Sequence, residues 1–113
     1  MTARTIWVDN DEGMRIVVLG ANAGGDGLVY TQSTKGITLV ELNSTVYGQG
    51  AVTTYQPNGK ELVKLVANEN GGGVVVYNKT GEFIAEMSAD EYGNGLVGAW
   101  NRKGKGRTLK PGP

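Results

Sequence analysis

Apolar residues recur along the chain with a period of about 23 residues, in short arms separated by glycine-rich segments. The incoming arm of each repeat has one apolar column at Ile6, Val29, Val52, Val74 and Val97. A second column lies two residues further on, at Val8, Thr31, Thr54, Val76 and Ala99. Apolar side chains at every second residue are typical of one face of a β-strand. Each incoming arm is therefore predicted to be a strand.

The outgoing arms have a different spacing. They carry Ile16, Leu39, Leu62 and Ile84 and, three residues later, Leu19, Leu42, Leu65 and Met87. A spacing of three breaks strict alternation, so these arms are predicted to be strands with a β-bulge or a corner. A helix does not fit, because only about six residues separate each turn from the next glycine-rich loop.

One series of glycines follows polar triplets between the two arms. Its members are Gly13, Gly36, Gly59, Gly81 and Gly104. A polar triplet closed by glycine fits a type I turn followed by a bulge residue with positive φ, which glycine adopts without steric cost. We predict that these five glycines close β-hairpins.

A second series ends the loops that join one hairpin to the next, at Gly27, Gly50, Gly72 and Gly95. Loops rich in Gly, Asn and Asp are usually tight connections, and this structural interpretation is favoured. Oxygen atoms of Asp26, Asp90 and Asn94 offer an alternative as calcium ligands, but a dedicated site needs several carboxylates that converge. No Gly-Lys-Ser/Thr follows the glycines, so nucleotide binding is not expected.

Together these patterns predict an all-β protein made of tandem β-hairpin repeats of about 23 residues, as a single domain spanning residues 1–113. The units run over residues 5–27, 28–50, 51–72, 73–95 and a truncated 96–113. We expect an elongated β-repeat, β-prism or solenoid-like array. Single-layer hairpins of this length do not cover both faces of a sheet, so homo-oligomerisation is expected to complete the core, with a trimer favoured.

Composition removes several classes of chemistry. The 113 residues include 19 Gly, 11 basic and 11 acidic side chains, no His and no Cys. The chain therefore has no Ser-His-Asp triad, no Cys-His pair, no His-ligated zinc and no disulfide. The carboxylates of Asp90 and Glu91 carry no mark of a converging catalytic pair, so we predict neither an enzyme nor a cofactor.

Charge and hydropathy limit the partners. Balanced charge argues against nucleic acid, and the basic run Arg102, Lys103, Lys105, Arg107 and Lys110 is interpreted as a solvated tail. No run approaches 18 apolar residues, so this segment is not expected to insert directly into a membrane. The charged columns Glu41, Lys64, Glu86 and Lys60, Glu82, Lys105 alternate in sign, which predicts charge ladders between successive units.

Aromatic residues form a further column at Tyr55, Tyr77 and Trp100. Exposed aromatics on a β-surface can stack on sugars, so this column is a candidate ligand or interface surface. Burial is the favoured interpretation, because Val74, Val75, Val76 and Tyr77 make the fourth incoming arm apolar on both faces.

The residues Val8-Asp-Asn-Asp-Glu-Gly-Met-Arg-Ile-Val-Val-Leu-Gly20 and the ending 89–113 resemble a group of uncharacterised bacterial repeat proteins of the planctomycete type. In that group a phrase close to Asp-x-x-Gly-Lys-x-Arg-x-x-Leu recurs about every 20 residues. Met14 stands where the group usually has Lys. The resemblance covers nearly the whole chain and implies an extracytoplasmic or cell-surface location, as a segment of a membrane-anchored parent, with no assigned activity.

Two classes of function follow from the sequence. The first is a non-enzymatic structural or interaction module, a self-associating extracellular stalk or head segment. The alternative is a surface module that binds a cell-surface glycan or calcium.

Overall fold

The computed structural model describes residues 4–112, and these form ten strands and no helix. The strands are β1 (Ile6–Asp9), β2 (Arg15–Ala21), β3 (Gly27–Gln32), β4 (Thr38–Ser44), β5 (Gly50–Tyr55), β6 (Glu61–Asn68), β7 (Gly71–Tyr77), β8 (Phe83–Ala89), β9 (Gly95–Trp100) and β10 (Gly106–Leu109). The all-β prediction, with successive antiparallel hairpins, is confirmed.

All ten strands lie in one open sheet, and each strand pairs with its neighbours in the sequence, antiparallel throughout. The molecule measures 55 × 30 × 19 Å, and its radius of gyration is 17.2 Å. A compact domain of this length has a radius of gyration of about 13 Å. Residues 4–112 therefore form one extended layer and contain no second layer that packs against it.

One turn type recurs at both ends of the strands, in the hairpin turns and in the joints between hairpins. In the first turn, the N–H of Gly13 donates to the carbonyl of Asn10, and the N–H of Asn10 donates to the carbonyl of Met14. The Asn10 side-chain oxygen accepts from the N–H groups of Glu12 and Met14, both at 3.0 Å. Ser, Thr, Asn or Asp opens most of these turns because a short polar side chain reaches these N–H groups. The equivalent openers are Asn22, Ser33, Thr45, Asn78, Asp90 and Asn101.

Glycine is required at the fourth position of this turn. Gly13, Gly36, Gly59, Gly81 and Gly104 all have φ between 79° and 93°. In the joints at the opposite edge the equivalent residues are Gly25, Gly48 and Gly93, with φ of 90°, 79° and 83°. A side chain in this left-handed region meets its own backbone, so glycine is preferred.

The second glycine series lies where each joint meets the following strand. Gly27, Gly50 and Gly95 are the first residues of β3, β5 and β9, and Gly72 is the second residue of β7. None of the four has positive φ. Three of the four joints thus have their positive-φ glycine two residues before this series, because these joints are the same bulged turn as the first-series turns.

The irregularity in the outgoing arms is a β-bulge. Val8 pairs with Val17 and Asp9 pairs with Arg15, so Ile16 is the extra residue in β2. Leu39, Leu62 and Ile84 are the extra residues of β4, β6 and β8. The last hairpin has no bulge, because one residue fewer separates Gly104 from Leu109 than separates Gly13 from Leu19.

The shorter spacing of 22 residues between Gly50 and Gly72 reflects a shorter turn. Asn68 pairs directly with Gly71, so only Glu69 and Asn70 lie between β6 and β7. The side-chain oxygen of Asn68 accepts from the N–H groups of Asn70 and Gly71. The deletion shortens a turn and leaves the register of the sheet intact.

Candidate functional site

The register of the sheet places apolar side chains in two straight rows across one face, which we call the apolar face. The first row is Ile6, Leu19, Val29, Leu42, Val52, Leu65, Val74, Met87, Val97 and Leu109. The second row is Val8, Val17, Thr31, Val40, Thr54, Val63, Val76, Ala85, Ala99 and Arg107. Seventeen of these twenty positions are apolar, and they extend across the full width of ten strands.

Nothing within the described chain covers the apolar face. Leu42, Leu65 and Met87 remain 45%, 47% and 58% exposed. The accessible surface of the protein is 8123 Å². A compact monomer of the same mass exposes about 6,000 Å², so the protein exposes about 2,000 Å² more. A continuous apolar face across ten strands is typical of an interaction surface, since ordinary monomers expose only a few hundred Å² in one apolar patch.

On the opposite face, which we call the mixed face, large side chains cover the small ones beside them. Its central row is Trp7, Val18, Tyr30, Glu41, Thr53, Lys64, Val75, Glu86, Gly98 and Thr108. Val18 lies between Trp7 and Tyr30 and is 6% exposed. Thr53 lies between two long charged side chains and is 7% exposed. The large side chains of this face shield the small ones, which the medium-sized aliphatic residues of the apolar face do not achieve.

The aromatic column lies on the mixed face, next to the first-series turns. Tyr55, Tyr77 and Trp100 are each half-buried. Phe83 lies between two members of this column. Its ring centroid is 6.3 Å from that of Tyr77, edge to face, and 4.8 Å from that of Trp100. The indole of Trp100 lies over Gly98. These rings pack on the sheet and on one another, and no flat row of open ring faces results.

Tyr55 has no aromatic neighbour of this kind and faces charged groups. Burial, together with the negative charges of Glu41 and Glu61, raises the pKa of its phenol. The Nζ of Lys64 is 3.1 Å from Glu61, and this hydrogen bond is the main reason that the pKa of Lys64 is raised. In a regular strand residues i and i+3 point to opposite faces, but the bulge at Leu62 brings Glu61 and Lys64 onto the same face.

The predicted charge ladders do not form. Thr53 of β5 stands between Glu41 and Lys64, so the two charges are two strands apart, about 10 Å. In the second column, Glu82 pairs with Arg102 at 3.5 Å instead of with Lys60. The ladder prediction is wrong because each repeat contributes two strands, and equivalent residues of successive repeats are never direct neighbours.

Two of the three calcium candidates, Asp26 and Asp90, have carboxylates that already accept hydrogen bonds. Asp90 accepts from the N–H groups of Tyr92 and Asn94, and Asp26 accepts from the hydroxyl of Ser44. No group of three acidic, His or Cys side chains within residues 4–112 is arranged to hold a metal ion. Asp90 and Glu91 are adjacent in a turn and do not face each other across a cleft. These residues act as turn formers in the structure.

Sequence reasoning missed two features of the surface. It found the apolar columns but not that both incoming columns and the outgoing column Leu19, Leu42, Leu65 and Met87 share one open face, while the other outgoing column, from Ile16 to Ile84, consists of the bulge residues. It also missed Tyr47 and Tyr92, which occupy exposed turns at the edge formed by the second-series joints and are 86% and 80% exposed. The signal for both tyrosines was present, because each directly precedes the glycine with positive φ in its turn.

Comparison with protein-family models and with curated proteins finds no match to the chain. The resemblance to planctomycete-type repeat proteins therefore stays a prediction. Within the described part of the chain no helix is long and apolar enough to cross a membrane.

Proposed function

We propose that this protein is a non-enzymatic structural module that self-associates through its apolar face. The observation that carries the proposal is the continuity of the two apolar rows over ten strands, with Leu42, Leu65 and Met87 about half exposed. Burial of apolar area stabilises an assembly by about 25 cal/mol per Å². Copies of the chain supply a surface of matching length and chemistry.

The size of the face fits a specific interface. Strands lie about 4.8 Å apart and alternate residues about 6.8 Å apart, so each position of a face occupies about 33 Å². Twenty positions give a footprint of about 650 Å² per copy. A standard protein interface buries about 800 Å² per partner, so the area is close to that of a stable complex.

A trimer is the favoured assembly. Each apolar face is long and only two rows wide, and three such faces around a common axis parallel to the 55 Å dimension enclose one shared core. Such an assembly is a β-prism, in which each thin sheet forms one wall. An elongated stalk or head segment at the cell surface fits this shape and the extracytoplasmic location that the resemblance implies.

The alternative, a module that binds cell-surface glycan or calcium, has less support. Tyr55, Tyr77 and Trp100 are half-buried, and Trp100 is packed over Gly98, which limits the ring surface open to a sugar. The carboxylate of Asp26 already accepts a hydrogen bond from the hydroxyl of Ser44, and that of Asp90 accepts one from the N–H of Tyr92.

Light scattering coupled to size exclusion tests the proposal. We expect the parent chain to elute with the mass of a trimer, and the double change Leu42→Lys with Leu65→Lys to abolish that assembly. The matched control replaces Tyr47 and Tyr92 with Lys, which alters two exposed residues away from the apolar face. A folded monomer at tens of micromolar, or an assembly unaffected by the lysines at positions 42 and 65, contradicts the proposal, and a dimer contradicts the threefold arrangement.

A further inference from the structure

Each end of the sheet has a strand with one unpaired side. Within residues 4–112, β1 pairs with β2 alone and β10 pairs with β9 alone. Every residue of these two four-residue strands is exposed. An edge strand offers a row of backbone N–H and C=O groups to another strand. The even number of strands makes β10 run opposite to β1, which is the direction needed for β1 of a second copy to continue the antiparallel sheet.

The two ends also differ in charge. Residues 102–110 carry Arg102, Lys103, Lys105, Arg107 and Lys110 and no acidic residue. Because the whole chain is neutral, the rest carries a net charge of −5. The turn between β1 and β2 contains Asp11 and Glu12. It lies on the same side of the sheet as the turn between β9 and β10, because both turns follow an odd-numbered strand. An acidic turn at one end therefore matches a basic turn at the other.

A contact inside the array indicates how these turns would meet. Arg102, the second residue of its turn, is 3.5 Å from Glu82, which directly follows the glycine of the preceding turn. Applied to the junction of two copies, the same geometry brings Lys105 of one copy to Asp11 of the next, because Lys105 holds the position of Glu82 and Asp11 that of Arg102. The charges are again opposite, with the signs exchanged. Within residues 4–112 neither Asp11 nor Lys105 is in a salt bridge.

We propose that copies of this chain join head to tail, β10 of one copy pairing with β1 of the next, with Lys105 and Asp11 forming an ion pair across the junction. The junction continues the first apolar row from Leu109 to Ile6, so the apolar face becomes longer without a break. A head-to-tail contact of this kind is open-ended and yields filaments or rings. This inference deepens the proposed self-association by adding a second contact, and it does not require the apolar faces to meet.

The test uses the chain carrying Leu42→Lys and Leu65→Lys, in which association through the apolar face is blocked. Sedimentation velocity over a concentration series is expected to show species that grow with concentration at low salt and shrink in about 0.5 M NaCl, where charges are screened within a few ångströms. Lys105→Glu is expected to weaken this association about tenfold, since it turns an attraction into a repulsion. Asp11→Lys acts in the same way.

Mixing separates a true junction from a general charge effect. The Lys105→Glu chain and the Asp11→Lys chain each have like charges at both ends, and their mixture restores opposite charges at the junction between unlike chains. Restored association in the mixture supports the proposal. Lys35→Glu, an equal charge change in an exposed interior turn, serves as the control and leaves association unchanged.

Two results overturn the inference. The first is that the chain with Leu42→Lys and Leu65→Lys stays monomeric at every concentration. Failure of the proposed function has a different sign, because the assembly of the parent chain would then be unchanged by these two substitutions. The other is a Lys105→Glu chain that the Asp11→Lys chain does not rescue. If the face-blocked chain does not fold, the charge variants are compared in the parent chain, where Lys105→Glu must reduce the largest assemblies to the size set by the apolar faces. If the chain stays monomeric and is retained on a polyanion column, the basic residues 102–110 bind an anionic partner, and the head-to-tail junction is likewise contradicted.

Discussion

The indole ring of Trp100 lies directly over Gly98, in the space that a Cβ atom at residue 98 would occupy. Gly98 is buried although it lies in the central row of the mixed face. A large ring thus replaces the side chain that this glycine lacks, and it continues the aromatic group through Phe83. The end of the sheet near β9 and β10 gains cover that its small residues do not provide.

The substitution Gly98→Ala is expected to displace the Trp100 ring and to lower the free energy of unfolding by about 1–3 kcal/mol, as overpacking usually does. Urea unfolding measures the change. Gly50→Ala is the matched control, because Gly50 is also a strand residue without positive φ and a Cβ atom added there would meet nothing within 4 Å. If Gly98→Ala is as well tolerated as Gly50→Ala, the packing of the indole on the backbone is not a source of stability.

The substitution Gly36→Ala tests the turn by conformation alone. Gly36 has φ of 81°, and a Cβ atom added there would have open space within 4 Å, so the cost comes from the left-handed backbone. We expect a loss of about 1–2 kcal/mol in thermal or urea unfolding. Gly50→Ala is expected to be neutral or stabilising by up to about 1 kcal/mol, since it restricts only the unfolded chain. Equal effects at positions 36 and 50 would argue against the positive φ.

Stability is expected to depend on protein concentration. If the apolar faces meet, assembly stabilises the folded chain by mass action, and Tm rises as the chain is concentrated. Differential scanning calorimetry over a wide range of concentration measures this shift. The chain with Leu42→Lys and Leu65→Lys is expected to lose most of the dependence. A Tm of the parent chain that is independent of concentration contradicts the assembly.

Stability is also expected to fall in alkali, partly through Tyr55. Burial and the charges of Glu41 and Glu61 raise the pKa of its phenol in the folded state above the ordinary value near 10. The folded state therefore favours the protonated phenol, so this contribution is complete below about pH 10 and is lost as the pH rises through the raised pKa. Phenolate absorbance of the parent chain minus that of Tyr55→Phe measures the midpoint.

Glu41→Gln provides the check on the cause, because removal of one negative charge is expected to lower the pKa of Tyr55 toward its ordinary value. A Tyr55 midpoint at or below about 10 in the parent chain would show that the phenol is not desolvated. Unfolding in urea between about pH 8 and pH 11 is expected to show a shallower loss of stability for Tyr55→Phe than for the parent.

The sequence predicted the elements of this fold because its signals are local. Alternation at Ile6 and Val8 predicts a strand, a polar triplet before Gly13 predicts a turn, and the spacing from Ile16 to Leu19 predicts a bulge. Each signal depends only on residues within one arm or one turn. The candidate interaction columns were visible for the same reason, since they repeat with the period of the units.

The contacts between side chains depended on the three-dimensional structure. The pair Lys64 and Glu61 forms because the bulge at Leu62 changes the face, while Glu41 is separated from Lys64 by a strand. Similarly, the position of the ring of Trp100 over Gly98 depends on side-chain packing, which the spacing of residues does not encode.

What the sequence alone determined was a repeated antiparallel β-hairpin protein without the side chains for thiol or imidazole chemistry, because period and composition are properties of the chain itself. The sequence indicated thin hairpin sheets that need cover, and only the tertiary structure decided that all ten strands join in one open sheet and which of its faces is left bare. That outcome depends on the register between strands, which places seventeen apolar side chains on one side and the long polar and aromatic side chains on the other.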